Sequence, residues 1–238
     1  TEFATRFPIS GSAYSYSYVS IGELFAWIIG WDLVLEYTIG SSAVAVGWAE
    51  YLGKLITLPD WLISATVSVP WGELHMNLLA GILILVLSGL LAIGIKESAQ
   101  FNAFIVAVKV FVVLFVIGVG AFFISPENWV PFTPFTAQGT ACPPGQFCFD
   151  SIFRGAALVF FSYIGFDAVS TAAEEVENPQ KNMPIGIMAS LGICTLLYIA
   201  VAAVITGMVP VEEIDAGAPL AAAFESVNLP WAVTVIGI

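Results

Sequence analysis

Residues 155–184, GAALVFFSYIGFDAVSTAAEEVENPQKNMP, decide how the rest of the chain is read. The stretch begins as an unbroken apolar run, is interrupted by Gly165 and Asp167 where a membrane helix should be deepest, and ends in Glu174, Glu175 and Glu177 before Asn178-Pro179. Lipid offers backbone amides and carbonyls no partner. A glycine-marked interruption is therefore tolerated only where the freed groups line a cavity or meet a ligand. Asp167 points the same way, because an ionisable group inside a bilayer costs ~2.5 kcal/mol or more and usually marks a pathway. The three glutamates read as a solvated helix end, and Asn178-Pro179 as a helix stop.

The chain around this stretch is 59% hydrophobic and only 10% charged, with a mean hydropathy of +0.94. Those values predict an all-α integral membrane protein. A net charge of -12, from 18 acidic and 6 basic residues, argues against nucleic acid as a partner. The chain lacks an initiator Met and stops inside a new apolar run, WAVTVIGI, so it is expected to be an internal fragment of one membrane domain covering 1–238.

Six spans are expected, over residues 22–53, 76–95, 101–124, 154–175 with a break near 164–166, 183–209, and 231 onward. Residues 1–20, 54–75, 125–150 and 210–230 read as connections, with Lys96, Glu97 and Ser98 ending the second span. Asp32 and Glu36 lie four apart in the first span and so share one helix face. Gly40, Ser41, Ala43 and Gly47 permit close approach of a neighbouring helix. Lys109 sits near the middle of the third span, too far from either end to reach the interface easily. Helix rise puts Glu36, Lys109 and Asp167 at one depth, roughly 15 to 20 Å from an interface.

The connection 125–150 carries five prolines with Cys142 and Cys148, a candidate disulfide in a loop that can turn back on itself. With Arg6, Lys96 and Lys181 inside and Lys54 and Arg154 outside, the basic residues favour an external position for that loop. His75 has no second ligand at metal spacing, Cys194 reads as a core thiol, and neither a metal nor a cofactor is expected. A buried lysine near carboxylates suits proton-coupled transport. It also leaves open a retinal-type photoreceptor or pump using Lys109, or an ion channel with acidic rings; an enzyme is the weakest reading, since no nucleophilic constellation lies in the spans.

Three separated motifs carry a family resemblance. FFSYIGFDAVSTAAEEVENPQKNMPIGI resembles the sixth helix and following loop of the amino acid, polyamine and organocation transporters, most of all their bacterial cationic amino acid branch. GSAYSYSYVSIGELFAWIIGWDLVLEY is similar to that branch's second loop and third helix, and GIKESAQFNAFIVAVKVFVV to the end of its fourth helix and its fifth. The resemblance implies a LeuT-type inverted-repeat fold, of which this chain would hold helices three to seven and the edges of two and eight. It also implies a multi-pass transporter of the cell (plasma or inner) membrane that moves amino acids with protons by alternating access, favouring cationic ones. Its partners would be an amino acid, the proton, the lipid bilayer and the remaining helices of the parent transporter. On the family pattern, Phe161, Ser162, Tyr163 and Ile164 match the unwound part of the sixth helix that meets the substrate, with Phe161 as its aromatic cover. Glu36 and Asp167 match acidic positions of bacterial members close to this sequence and are expected to contact substrate, and Lys109 matches the lysine that replaces a sodium ion in proton-coupled members.

Overall fold

The computed structural model describes residues 2–7, 9–69, 72–93, 99–133, 135, 139–143, 148–174 and 176–237. Lys96, Glu97, Ser98 and Glu175, which serve as markers in the sequence, lie outside the described residues. The elements in chain order are α1 (Glu2–Arg6), α2 (Ser12–Ser20), α3 (Glu23–Leu55), α4 (Asp60–Ile63), β1 (Ala65–Val69), β2 (Gly72–Met76), α5 (Leu78–Ala92), α6 (Ala99–Gly120), α7 (Phe149–Val159), α8 (Pro179–Met208), α9 (Pro219–Ser226) and α10 (Pro230–Gly237).

The chain is helical because its apolar runs are long and their backbone groups must be paired within each segment. Three stretches, Asn102–Phe123, Phe149–Thr171 and Pro179–Met208, are long and apolar enough to cross a membrane, and α5 is a shorter apolar helix. Their side chains point outward without penalty in lipid: Leu85 exposes 74% and Phe153 75% of its surface. The longest helix, α3, has 33 residues, about 50 Å of rise. Glu23 in its first turn and Lys54 in its last complement the helix dipole.

The connections hold more structure than the sequence suggested. Residues 1–20 contain two helices, and residues 210–230 contain α9, which begins with Pro219 in its first turn. Residues 54–75 include an antiparallel pair in which Thr66 faces His75 and Val69 faces Gly72. The alternation TVSV opposite GELHM is a strand signal, although every residue of β2 is exposed. Asn77 caps α5, its Oδ1 accepting from the Ala80 amide at 3.0 Å. Pro179 is the first residue of α8, so Asn178-Pro179 marks a helix start as well as the end of the preceding segment; proline suits that place because the first amide of a helix has no partner to lose. Cys194 on α8 is exposed rather than in a core, because α8 is apolar on all sides and its buried residues lie elsewhere along it.

The chain divides into two compact units, residues 1–40 with 132–198, and residues 41–131 with 199–238. In the second, Phe224, Val116, Val204, Met208 and Val233 form the core, with Phe115 stacked on Phe224 at 6.4 Å. Asn128 Nδ2 and the Ser125 amide both donate to the Gly207 carbonyl, fastening the turn after α6 to the end of α8. In the first, Ala4, Ala173, Met183 and Ile187 are buried together beneath Tyr16, Val169 and Val176. Cys142 and Cys148 are joined by a disulfide with Cα atoms 6.2 Å apart, and the Cys148 amide donates to Thr133 Oγ1 just before α7 begins.

Candidate functional site

The helix that starts at Phe149 does not reach Thr171 intact. It runs as α-helix to Val159, tightens to a 3-10 turn over Phe160–Tyr163, breaks, and resumes as a second 3-10 turn over Ala168–Ala172. Ile164 at φ -54 and ψ 130 followed by Gly165 at φ +105 is the signature of a type II turn, closed by the Phe166 amide on the Tyr163 carbonyl at 3.3 Å. Position 165 needs glycine for its conformation alone, since a Cβ there would meet no atom within 4 Å.

Before the break, α8 supplies the partners. Tyr198 Oη donates to the Ser162 carbonyl at 2.8 Å, and Tyr163 Oη donates to Thr195 Oγ1 at 3.0 Å. The two tyrosine rings meet edge to face, 5.3 Å between centroids. After the break, a carboxylate does the fastening. Asp167 Oδ2 accepts from Ser12 Oγ and from Tyr37 Oη, both at 2.8 Å, while the Ser170 hydroxyl donates to the Asp167 carbonyl at 2.6 Å. Asp167 Oδ1 is buried and has no partner among the described residues. Ser12 is buried and held at φ +49, a left-handed backbone that a serine keeps only when its surroundings impose it.

Beside the break lies an open groove of about 400 Å³, lined on α3 by Asp32, Leu35, Glu36 and Ile39 and on the broken helix by Ala157, Phe160, Phe161 and Ile164. The spacing of 32, 35, 36 and 39 places those four side chains on one face of α3. One wall thus carries two carboxylates and the rest is apolar. Such a groove can receive a cationic group against the acids while an apolar portion packs on Phe160 and Phe161.

Of the residues singled out in the sequence, Glu36, Phe161 and Ile164 come together in this groove. Ser162 and Tyr163 are not among the lining residues; they are bonded to α8. Asp167 is not among the lining residues; its carboxylate is engaged by Ser12 and Tyr37. Lys109 belongs to the other unit, exposed on α6. Asp32, which the sequence put on the face of Glu36, and Phe160 next to the break also line the groove; sequence reasoning passed over Leu35, Ile39 and Ala157 as lining residues, and Ser12, Tyr37, Thr195 and Tyr198 as partners of the break. The helical spacing from Glu36 could have found Ile39; nothing in the sequence ties Ser12 to Asp167, 155 residues away.

The amino acid permease family profile matches residues 1–238, the whole chain. The chain is 44% identical over 240 residues to the methylthioribose transporter of Bacillus subtilis (strain 168), aligning over 100% of its own length and 50% of the relative's. To the branched-chain amino acid permease of the same organism it is 43% identical over 244 residues, with 100% and 50% covered. To the vacuolar cationic amino acid transporter 2 of Arabidopsis thaliana it is 44% identical over 239 residues, with 99% and 36% covered. The chain spans about half the length of the bacterial relatives. Matched over its full length by this profile, and carrying apolar helices of membrane-crossing length, one of them broken, the chain belongs to the amino acid permease family of integral membrane proteins.

Proposed function

We propose that this chain forms part of a secondary active transporter of amino acids, proton-coupled and working by alternating access in a cell membrane, with its remaining helices supplied by the rest of the transporter. The observation that carries the reading is the groove beside the Gly165 break, where Asp32 and Glu36 face Phe160, Phe161 and Ile164. An amino acid brings an ammonium for the carboxylates and a side chain for the apolar wall. A neutral amino acid has one cationic group, whereas the wall has two acids, which favours a cationic side chain such as that of lysine or arginine. The name of the plant relative agrees, and those of the bacterial relatives point to a branched-chain amino acid and to methylthioribose. No cofactor enters this reading.

Lys109 is the proposed carrier of the coupling proton, on its place within an apolar helix and its match to the family's lysine. A group that is charged in one conformation and neutral in the other ties proton movement to the conformational cycle. The test is uptake into proteoliposomes by the complete transporter, with and without an imposed pH gradient, using lysine, arginine, leucine and alanine as competitors. Gradient-driven accumulation of lysine or arginine supports the reading. Ion conductance without saturable uptake would favour a channel, and visible absorbance of the purified protein a retinal-type pigment. Lys109→Met should keep substrate binding and lose the response to the gradient; accumulation that persists would move the coupling to a carboxylate.

A further inference from the structure

We propose that Thr195 and Tyr198 of α8 are positioning residues that clamp the opened backbone at Phe160–Tyr163 and so set the shape of the groove's apolar wall; the inference rests on the amino acid transport reading only for its uptake measurement. The break creates a bonding problem that the chain's own turns do not solve. In a continuous α-helix the Ser162 carbonyl would accept the Phe166 amide. Here the Phe166 amide closes the turn on Tyr163, and the Ile164 amide bonds Phe161. The Ser162 carbonyl is instead bonded by the Tyr198 hydroxyl at 2.8 Å. A carbonyl left open at that place in a lipid-embedded helix would have no water to turn to.

The bond is one half of a reciprocal pair. Tyr198 reaches from α8 to the break, and Tyr163 reaches from the break to α8, where Thr195 Oγ1 receives its hydroxyl at 3.0 Å. Thr195 passes its own proton to the Leu191 carbonyl at 2.8 Å, which orients its oxygen to accept. Thr195 and Tyr198 are three apart and lie on the same face of α8. Phe160, Phe161 and Ile164, which line the groove, flank the clamped Ser162 and Tyr163. Any slackening of the clamp therefore moves the surface that substrate would meet, although neither Thr195 nor Tyr198 lines the groove itself.

Two readouts test this in the complete transporter. Amide hydrogen exchange at Ile164 and Phe166 needs no substrate, and Tyr198→Phe, which removes only the hydroxyl, should speed it about tenfold, the effect of losing one hydrogen bond. Uptake by the same variant should show KM raised about tenfold with Vmax within about twofold. Thr195→Val should act in the same direction, and Thr195→Ser, which keeps the hydroxyl, should restore both values. Exchange unchanged in Tyr198→Phe and in Thr195→Val overturns the clamp. Should Tyr198→Phe fail to fold, the threonine pair decides alone: serine and valine behaving alike overturns the proposal. Faster exchange in a transporter whose unsubstituted form takes up no amino acid leaves the clamp standing and rejects the transport reading.

Discussion

The two sides of the Gly165 turn are secured by different chemistry. The side before it depends on neutral hydroxyl groups, Tyr198 on the Ser162 carbonyl and Tyr163 on Thr195, all between one helix and the next. The side after it depends on carboxylates: Asp167 takes the hydroxyls of Ser12 and Tyr37, and Glu174 takes the amide and hydroxyl of Ser10, both at 3.0 Å. Neutral hydroxyl bonds are indifferent to proton concentration across the physiological range. Carboxylate bonds to hydroxyls are stronger while the acid is ionised and change character when it is protonated. One side of the break is thus a fixed clamp and the other a fastening that responds to charge.

The largest effect is expected where both sides meet. Gly165→Ala forces a side chain into φ +105 and should cost about 1 to 3 kcal/mol of stability, with uptake lost in proportion. Gly165→Asn, which tolerates positive φ better, should recover part of it. Thermal melting of the purified protein beside uptake checks the pair. Equal stability of glycine and alanine would mean that the protein does not need the turn.

A smaller effect separates the acids of the groove from the acid of the fastening. Glu36→Gln and Asp32→Asn should weaken uptake of lysine or arginine more than that of leucine, because their carboxylates face the groove. Asp167→Asn should weaken all substrates alike, since its Oδ2 serves Ser12 and Tyr37. The variant amide would also place an N–H donor where the Oδ1 acceptor now lies buried without a partner among the described residues. A cation-selective loss in Asp167→Asn would instead put Asp167 in contact with substrate.

The smallest effect concerns pH. The Ser10 amide, and then the Ser10 hydroxyl, hold the Glu174 carboxyl below its ordinary value. A depressed folded value means that the contact contributes in full above the unfolded value, about 4.3, and is lost as pH falls through the lowered folded value. The protection factor of the Ser10 amide, which corrects for the intrinsic pH dependence of exchange, should therefore fall on acidification below about pH 4, while the protection factors of Ile164 and Phe166 stay level. Parallel changes on both sides would erase the distinction between them. Because Glu174 is exposed, the global stability change should be slight.

Reading Gly165 and Asp167 against an apolar run was enough to locate the break, since glycine and a carboxylate at membrane depth have few structural excuses. The alternation around Thr66 and Leu74 was equally visible, yet a two-stranded pair within a connection has too few residues to outweigh a proline-marked loop. The role of Pro179 turned on context, because proline both ends one helix and suits the first turn of the next. The carboxylates of the groove were legible through their spacing on α3, where an interval of four residues is enough to put Asp32 and Glu36 on one face.

What the sequence by itself determined is therefore the class and the local interruptions: apolar runs too long and too uncharged for water, a family pattern covering every residue, and a glycine where a helix could not continue. These follow from composition and short-range geometry. Only the tertiary structure decided which groups answer the broken backbone. Tyr198 lies 36 positions from Ser162, and Ser12 lies 155 from Asp167, so neither pairing leaves a local signature. Hydroxyls and carboxylates bond whatever the fold brings within about 3 Å, and that proximity is a property of packed helices rather than of any stretch of chain.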